Sequence, residues 1–100
     1  MPLFVARYRH RPGDCPAAPG RGALLLSRVS AAAAARYGVS IQAEALLEAE
    51  HLLLLVVQAP SAHAVRRFLA FLPGPGGLQV QPACTAEQAV GRGGCGPAPA

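Results

Sequence analysis

The stretch from Val39 to Gln58, "VSIQAEALLEAEHLLLLVVQ", decides how this chain folds, because it is compatible with two structures. Its Ala, Leu and Glu residues favour one helix from Ala43 to Val57. The first half, however, alternates apolar and polar residues, and β-branched residues flank the stretch on both sides. We therefore predict two strands, Val39–Leu47 and His51–Ala59, joined by a charged turn at Glu48–Glu50.

The segment before this hairpin predicts one strand and one helix. Leu3–His10 contains Phe, Val and Tyr, which favour a strand, and a loop rich in proline and glycine follows from Arg11 to Gly22. The alanine-rich segment Ala23–Tyr37 predicts a single helix, and Gly38 follows it where a C-terminal glycine is expected.

The segment after the hairpin predicts a helix, a strand and a last short helix. Ser61 is a suitable N-cap, and the apolar residues that follow it recur at helical spacing until Pro73–Gly77 ends the helix. Leu78–Pro82 alternates as a strand does, and Thr85–Gln88 has the pattern of a capping box. The chain thus divides into one domain over residues 1–91 and a tail rich in Gly, Pro and Ala over residues 92–100.

The predicted element order is β-α-β-β-α-β with a short C-terminal helix, which is the order of an α+β fold of the ferredoxin-like kind. Right-handed crossovers place two helices on one face of a four-stranded antiparallel sheet, with strands in the spatial order 4-1-3-2. Alternation along the second strand predicts Val39, Ile41, Ala43, Ala45 and Leu47 on one side. The open face is then expected to carry the polar residues Gln42, Glu44, Gln79 and Gln81.

The stretch "YGVSIQAEALLEAEHLLLLVVQAPSAHAVRRF", residues 37–68, resembles the strand–strand–helix core of small bacterial proteins of the dimeric α+β barrel type, a domain of unknown function. The resemblance implies a homodimer whose open sheet faces enclose a cavity. Some relatives bind a transition metal such as nickel, and others are small isomerases or monooxygenases. The cavity would be lined by Gln42, Glu44, Gln79 and Gln81 with Arg7 or Arg9, or with Tyr8 and His10 if the first strand has the other register.

Histidine and cysteine residues are the candidate metal ligands, because thiolates and imidazoles bind Zn, Ni and Cu. The main candidates are His10, Cys15, His51 and Cys84, with Cys95 as a further thiol and Glu44 or Glu50 as oxygen donors. None of the short motifs CxxC, HxxxH or HxH is present. We place His10 near Cys15 at one end of the sheet. Taking the third strand to run parallel to the first, we place His51 near Cys84 at the opposite end.

Composition and charge narrow the class of protein. With 52% hydrophobic and 14% charged residues, most of the chain is expected to be folded. The net charge of +4 comes from nine arginines, with no lysine, against five acids, as expected of a GC-rich coding sequence. Because the arginines are scattered, we do not expect nucleic acid as a partner.

The sequence also bears on location. The N-terminus lacks a signal-peptide pattern, and the longest apolar run, Leu52–Val57, is too short to cross a bilayer. Three cysteines are an odd number, which suits a reducing compartment better than a disulfide framework. We therefore expect a cytoplasmic protein with no membrane partner.

The function expected from these features is binding of a transition metal or small ligand through His and Cys residues in a homodimer. One alternative is a small cofactor-free enzyme of the isomerase or monooxygenase type, in which His10 acts as an acid or base in the dimer cavity. The other is a regulatory or structural interaction module without chemistry.

Overall fold

The structure is a computed structural model that describes residues 1–73 and 77–95. Gly74, Pro75 and Gly76, in the turn predicted at Pro73–Gly77, lie outside the described residues. So do residues 96–100 of the predicted tail.

Four strands form one antiparallel sheet: β1 (Leu3–Arg9), β2 (Ser40–Leu47), β3 (Leu52–Gln58) and β4 (Leu78–Ala83). The hairpin predicted within the deciding stretch is confirmed, since β2 and β3 pair over their whole length through the turn at Glu48–Glu50. The strand order is β2-β3-β1-β4, which is β4-β1-β3-β2 from the other edge. The architecture is α+β and is compatible with a ferredoxin-like arrangement.

The prediction of a single helix over Ala23–Tyr37 is wrong, because the structure divides this segment into two helices, α1 (Gly22–Arg28) and α2 (Ala31–Ala35). Ser30 lies between them in an extended conformation, and its hydroxyl oxygen accepts a hydrogen bond from the backbone N–H of Ala33. Serine favours such N-cap positions over helix interiors because its side chain competes for backbone groups. The break follows from that local hydrogen bond.

The other two helices begin where the sequence predicts. α3 (Ala62–Phe68) is capped by Ser61, whose hydroxyl accepts from the N–H of Ala64. α4 (Ala86–Gly91) begins with the predicted capping box, in which Thr85 and Gln88 each accept from the other's backbone N–H. Within the described residues, no helix has the length and apolar character needed to cross a membrane.

The hydrophobic core lies on one face of the sheet. Phe4 and Ala6 of β1 stand opposite Val57 and Leu55 of β3, and α2 and α3 pack against them. Because side chains alternate along a strand, the odd-numbered residues of β1 point away from this core. The buried members of the core are Phe4, Ala6, Ala34, Val39, Leu55, Val57, Ala59, Val65, Phe68 and Leu69.

A β-bulge in β2 reverses the predicted alternation of that strand. Ile41 pairs with Val57 but Ala43 pairs with Val56, so that Gln42 is an extra residue between them. Beyond the bulge, Glu44 stands opposite the buried Leu55. The prediction that Glu44 lies on the open face is therefore wrong, since the bulge moves it to the core-facing side.

The face opposite the core, here called the open face, is more apolar than predicted. Arg7, Gln79 and Gln81 lie on it, as expected from their pairing across β1 and β4. Its centre, however, is formed by Val5, Val56 and Leu54, and the bulge adds alanines and a leucine from β2. Tyr8, the alternative cavity residue, is buried on the core side instead.

Candidate functional site

The antiparallel pairing of β1 and β3 brings His10 and His51 together. Arg9, the last residue of β1, pairs with Leu52, the first residue of β3. One residue further along, the N–H of His10 donates to the carbonyl of His51 over 3.0 Å. The prediction that His51 lies at the opposite end of the sheet, beside Cys84, is therefore wrong. The prediction failed because it took the third strand to run parallel to the first, whereas β1 and β3 are antiparallel.

The side chain of His10 is polar but buried at this end of the sheet, with 8% of its surface exposed. Its ring stacks on Tyr8 at 5.8 Å between centroids and meets His51 edge to face at 5.6 Å. Neither Nδ1 nor Nε2 has a hydrogen-bond partner among the described residues. Since buried polar atoms are normally paired, an imidazole with two free nitrogens is unusual and points to a functional role.

The surroundings of His10 favour its neutral form. Burial lowers the pKa of His10, and the neighbouring His51 lowers it further, while the carboxylate of Asp14 acts in the opposite direction. The ring is therefore uncharged near neutral pH. A neutral imidazole keeps one nitrogen lone pair that is free to bind a metal ion or accept a proton.

Tyr8 forms one wall of the site and is held in place by its hydroxyl, which donates to the backbone carbonyl of Pro73. Burial raises the pKa of Tyr8, Asp14 raises it further, and Arg21 opposes them. Tyr8 is thus neutral at physiological pH and keeps its hydrogen for Pro73. This contact fixes the ring against which the imidazole of His10 stacks.

A cavity of about 350 Å³ opens beside these side chains. Gly77 forms part of its wall, where a Cβ would stand only 2.6 Å from the carbonyl oxygen of Arg9. Glycine is therefore required at this close approach of two backbone segments. The cavity is lined by Tyr8, Arg9, His10, Arg11, Asp14, Pro73 and Gly77.

His51 reaches the site through an unusual backbone conformation. It follows the short 3-10 turn Glu48–Glu50 and has a φ of 51°, in the left-handed region that non-glycine residues rarely adopt. Its N–H donates to the carbonyl of Glu48 over 3.2 Å. Such strain is found where the surrounding structure needs a particular side chain, which fits a role for this imidazole.

The cysteines are not assembled with the two imidazoles. Cys15 is half-buried and follows Asp14 directly, at the end of the 3-10 turn Pro12–Asp14. Cys84 lies at the other end of the sheet, where the guanidinium of Arg92 donates to its sulfur over 3.3 Å. All three cysteines are free, and no group of three or more potential metal ligands is present in the part of the chain that the structure describes.

The predicted cavity residues Gln42, Gln79 and Gln81 are not among the residues that line the described cavity beside His10. Gln42 is exposed at the bulge, and Gln79 and Gln81 are exposed on β4. What sequence reasoning missed is the pairing of His10 with His51. A fully antiparallel direction for the third strand, which the predicted order itself requires, would have revealed it. No family model matches the chain, and no curated protein or solved structure shows significant similarity to it.

Proposed function

We propose that this protein binds a transition metal ion through the imidazoles of His10 and His51. The observation that carries the proposal is the buried ring of His10, whose two nitrogens lack any protein partner within the described residues while His51 stands beside it. The ring of His10 also lines the cavity that Tyr8 and Asp14 line.

The donor set favours zinc, nickel or copper. Imidazole nitrogens suit these three metals, and two imidazoles on one tetrahedral ion stand roughly 5 Å apart between centroids, given metal–nitrogen bonds of about 2 Å. The rings of His10 and His51 are 5.6 Å apart. Two imidazoles fill half of a tetrahedral shell, and external ligands such as water would supply the rest.

Metal titration of the chelator-treated chain tests the proposal. We expect saturable binding of Zn²⁺ or Ni²⁺ by isothermal titration calorimetry, with at least a tenfold loss of affinity in both His10→Ala and His51→Ala. His63→Ala is the matched control, because His63 is exposed on α3, which follows the C-terminal end of β3, whereas His51 precedes its N-terminal end. Comparing the metal affinities of Cys15→Ala and Cys84→Ala then shows whether either thiol contributes to binding: Cys15 follows Asp14 of the cavity lining, and Cys84 lies at the opposite end of the sheet.

Three outcomes would count against metal binding. The first is a wild-type chain that binds neither metal. The second is equal loss in the His63→Ala variant, which would indicate adsorption to any surface imidazole. The third is loss on removal of Cys84 without loss on removal of His10, which would place the metal at the other end of the sheet.

A small acid–base enzyme is the second candidate, because the same cavity holds His10, Tyr8 and Asp14 together. A neutral imidazole near pH 7 is a suitable general base. Such an enzyme would bind an organic substrate in the cavity with no metal present. Screening of keto and enol substrates with the metal-free chain, and with its His10→Ala variant, distinguishes the two functions.

The open face supports a homodimer of the dimeric α+β barrel type, with a ferredoxin-like fold in each subunit. Val5, Leu54 and Val56 form an apolar centre on a face whose opposite side carries α2 and α3. A sheet with one uncovered apolar face gains stability when a second layer packs on it.

Sedimentation equilibrium tests the dimer. Val56→Asp places a charge at the centre of the open face, and we expect it to convert a dimeric wild-type chain to monomers with an unchanged far-UV circular dichroism spectrum. Gln42→Asp introduces the same charge at the exposed bulge and should leave the mass unchanged. A wild-type chain that is monomeric at all concentrations would contradict this arrangement.

A further inference from the structure

The break between α1 and α2 opens a second cavity, which is separate from the histidine site. Its volume is about 410 Å³, within the range of small-molecule sites. Ser27 and Arg28 at the end of α1, and Ser30 at the break, form one wall. A single continuous helix, as the sequence predicted, would not place an extended residue at this point.

The lining of this cavity is positively charged. Arg28 and Arg36 both line it, and Tyr37 and Phe68 form the side toward α3. The remaining lining residues are alanines and the two serines, so none is acidic. The five acids of the chain lie at other positions, namely Asp14, Glu44, Glu48, Glu50 and Glu87.

Aromatic rings hold two of the guanidinium groups in this region. The guanidinium of Arg28 stands over the ring of Phe71 at 5.9 Å, and that of Arg67 stands over Tyr37 at 5.7 Å. Tyr37 in turn packs against the buried Phe68, at 6.0 Å between centroids. The contact with Phe71 reduces the freedom that the side chain of Arg28 would lose on binding a ligand, and Arg67 holds Tyr37 in the cavity wall without being part of the lining itself.

The hydroxyls of the two serines are already engaged. Ser27 donates to the carbonyl of Leu24 over 2.8 Å, and Ser30 donates to the carbonyl of Ser27 over 3.2 Å. The charged donors that remain at the cavity are the guanidiniums of Arg28 and Arg36. Guanidinium matches the oxygen atoms of phosphate with two parallel hydrogen bonds.

We propose that the cavity between α1, α2 and α3 binds a small phosphate-bearing molecule through Arg28 and Arg36. The two arginines give the cavity a positive charge that complements an anion, and its volume suits a small ligand. It lies at the break between α1 and α2, which plays no part in the proposed metal site. It is independent of the histidine site, so the two proposals stand or fall separately.

Inorganic pyrophosphate is the probe, titrated by calorimetry into the metal-free chain in a buffer without phosphate. We expect saturable 1:1 binding that weakens about tenfold or more in Arg28→Gln and in Arg36→Gln. Arg36→Lys keeps the charge but loses the forked donor, so its affinity should fall between wild type and Arg36→Gln. Arg66→Gln is the matched control, because Arg66 is an exposed arginine outside the cavity lining and its loss should change affinity less than about twofold.

Several results would overturn the proposal. One is the absence of pyrophosphate binding at millimolar concentration. Another is an equal loss in Arg66→Gln, which would indicate attraction to net charge alone. A third is tighter binding of single-stranded RNA than of pyrophosphate, weakened equally by all three glutamine variants, which would indicate an extended polyanion surface. Circular dichroism of each variant confirms that the compared chains are folded.

Discussion

The amide of His10 donates to the carbonyl of His51 over 3.0 Å, and the two imidazoles meet edge to face at 5.6 Å. The backbone bond continues the pairing of β1 with β3 by one residue. The two side chains are therefore brought together by sheet register. Any change that shifts this register would separate them and remove the candidate site.

The first prediction concerns the pH dependence of stability. Burial and His51 lower the pKa of His10 in the folded chain, whereas an unfolded histidine titrates near 6.5. Below 6.5 and above the depressed folded value, the unfolded chain binds the extra proton, so the free energy of unfolding falls as the pH falls. Above 6.5 His10 is neutral in both the folded and the unfolded chain, so its protonation no longer lowers the free energy of unfolding. Urea denaturation with EDTA present should show a lower midpoint at about pH 5 than at about pH 7.

Histidine variants identify the group that causes this pH dependence of stability. His10→Gln should reduce the difference between the two pH values, because the group that resists protonation is gone. The exposed His63 is the comparison, and His63→Gln should keep the slope of the wild-type chain. An unchanged slope in His10→Gln would mean that another group is responsible.

The second prediction concerns Gly77, which closes the wall of the histidine cavity. An alanine there would place Cβ 2.6 Å from the carbonyl oxygen of Arg9 and 3.1 Å from the ring of Tyr8. Because the N–H of Arg9 also donates to the carbonyl of Gly77, the two segments do not separate without loss of that bond. Gly77→Ala should lower the free energy of unfolding by about 1–3 kcal/mol.

Gly13 is the control for this substitution, since nothing lies within 4 Å of a Cβ built there. Gly13→Ala should change the free energy of unfolding by less than about 0.5 kcal/mol. Equal effects of the two substitutions in urea denaturation would show that the close approach at Gly77 does not limit stability.

The third prediction concerns the helix break. The hydroxyl of Ser30 accepts from the N–H of Ala33 at the start of α2, so Ser30→Ala leaves that donor without its side-chain partner. We expect a loss of about 1 kcal/mol in the free energy of unfolding. Ser27→Ala removes a hydroxyl that donates to a carbonyl of its own helix and caps nothing, and its effect should be within about 0.5 kcal/mol. A larger loss for Ser27→Ala would contradict the capping role.

The fourth prediction separates the two faces of the sheet. Leu55, 1% exposed, belongs to the core, while its neighbour Leu54 points to the open face. Leu55→Ala should lower the free energy of unfolding by about 2–5 kcal/mol. Leu54→Ala should instead weaken self-association, seen as a higher protein concentration at which dimers dissociate in analytical ultracentrifugation. Similar effects of both substitutions on unfolding, with no effect on association, would contradict an interface on the open face.

Local signals predicted most elements of the fold. Alternation at Val39–Ile41 and the β-branched residues of β3 favoured a hairpin over one helix, because a strand buries alternate residues. Ser61 and Thr85 marked helix starts correctly, since a hydroxyl cap acts within three residues of its own position.

The errors arose where distant or competing interactions decide. Ser30 broke a helix that alanine propensity favoured, and the bulge at Gln42 reversed the face of Glu44. Neither event changes the hydrophobic pattern enough to be read from it. The misplacement of His51 was an error of another kind, because the antiparallel sheet predicted from the element order already required the third strand to run antiparallel to the first.

By itself, the sequence determined which segments become strands and helices, because caps, turns and apolar periodicity act over a few residues. Only the tertiary structure decided that His10 would be buried against His51, that Glu44 would leave the open face, and that Arg28 and Arg36 would line one cavity. The physical reason is that these neighbours are separated by many residues along the chain. Their contacts come from sheet register and helix packing, which are set by the burial of the whole core.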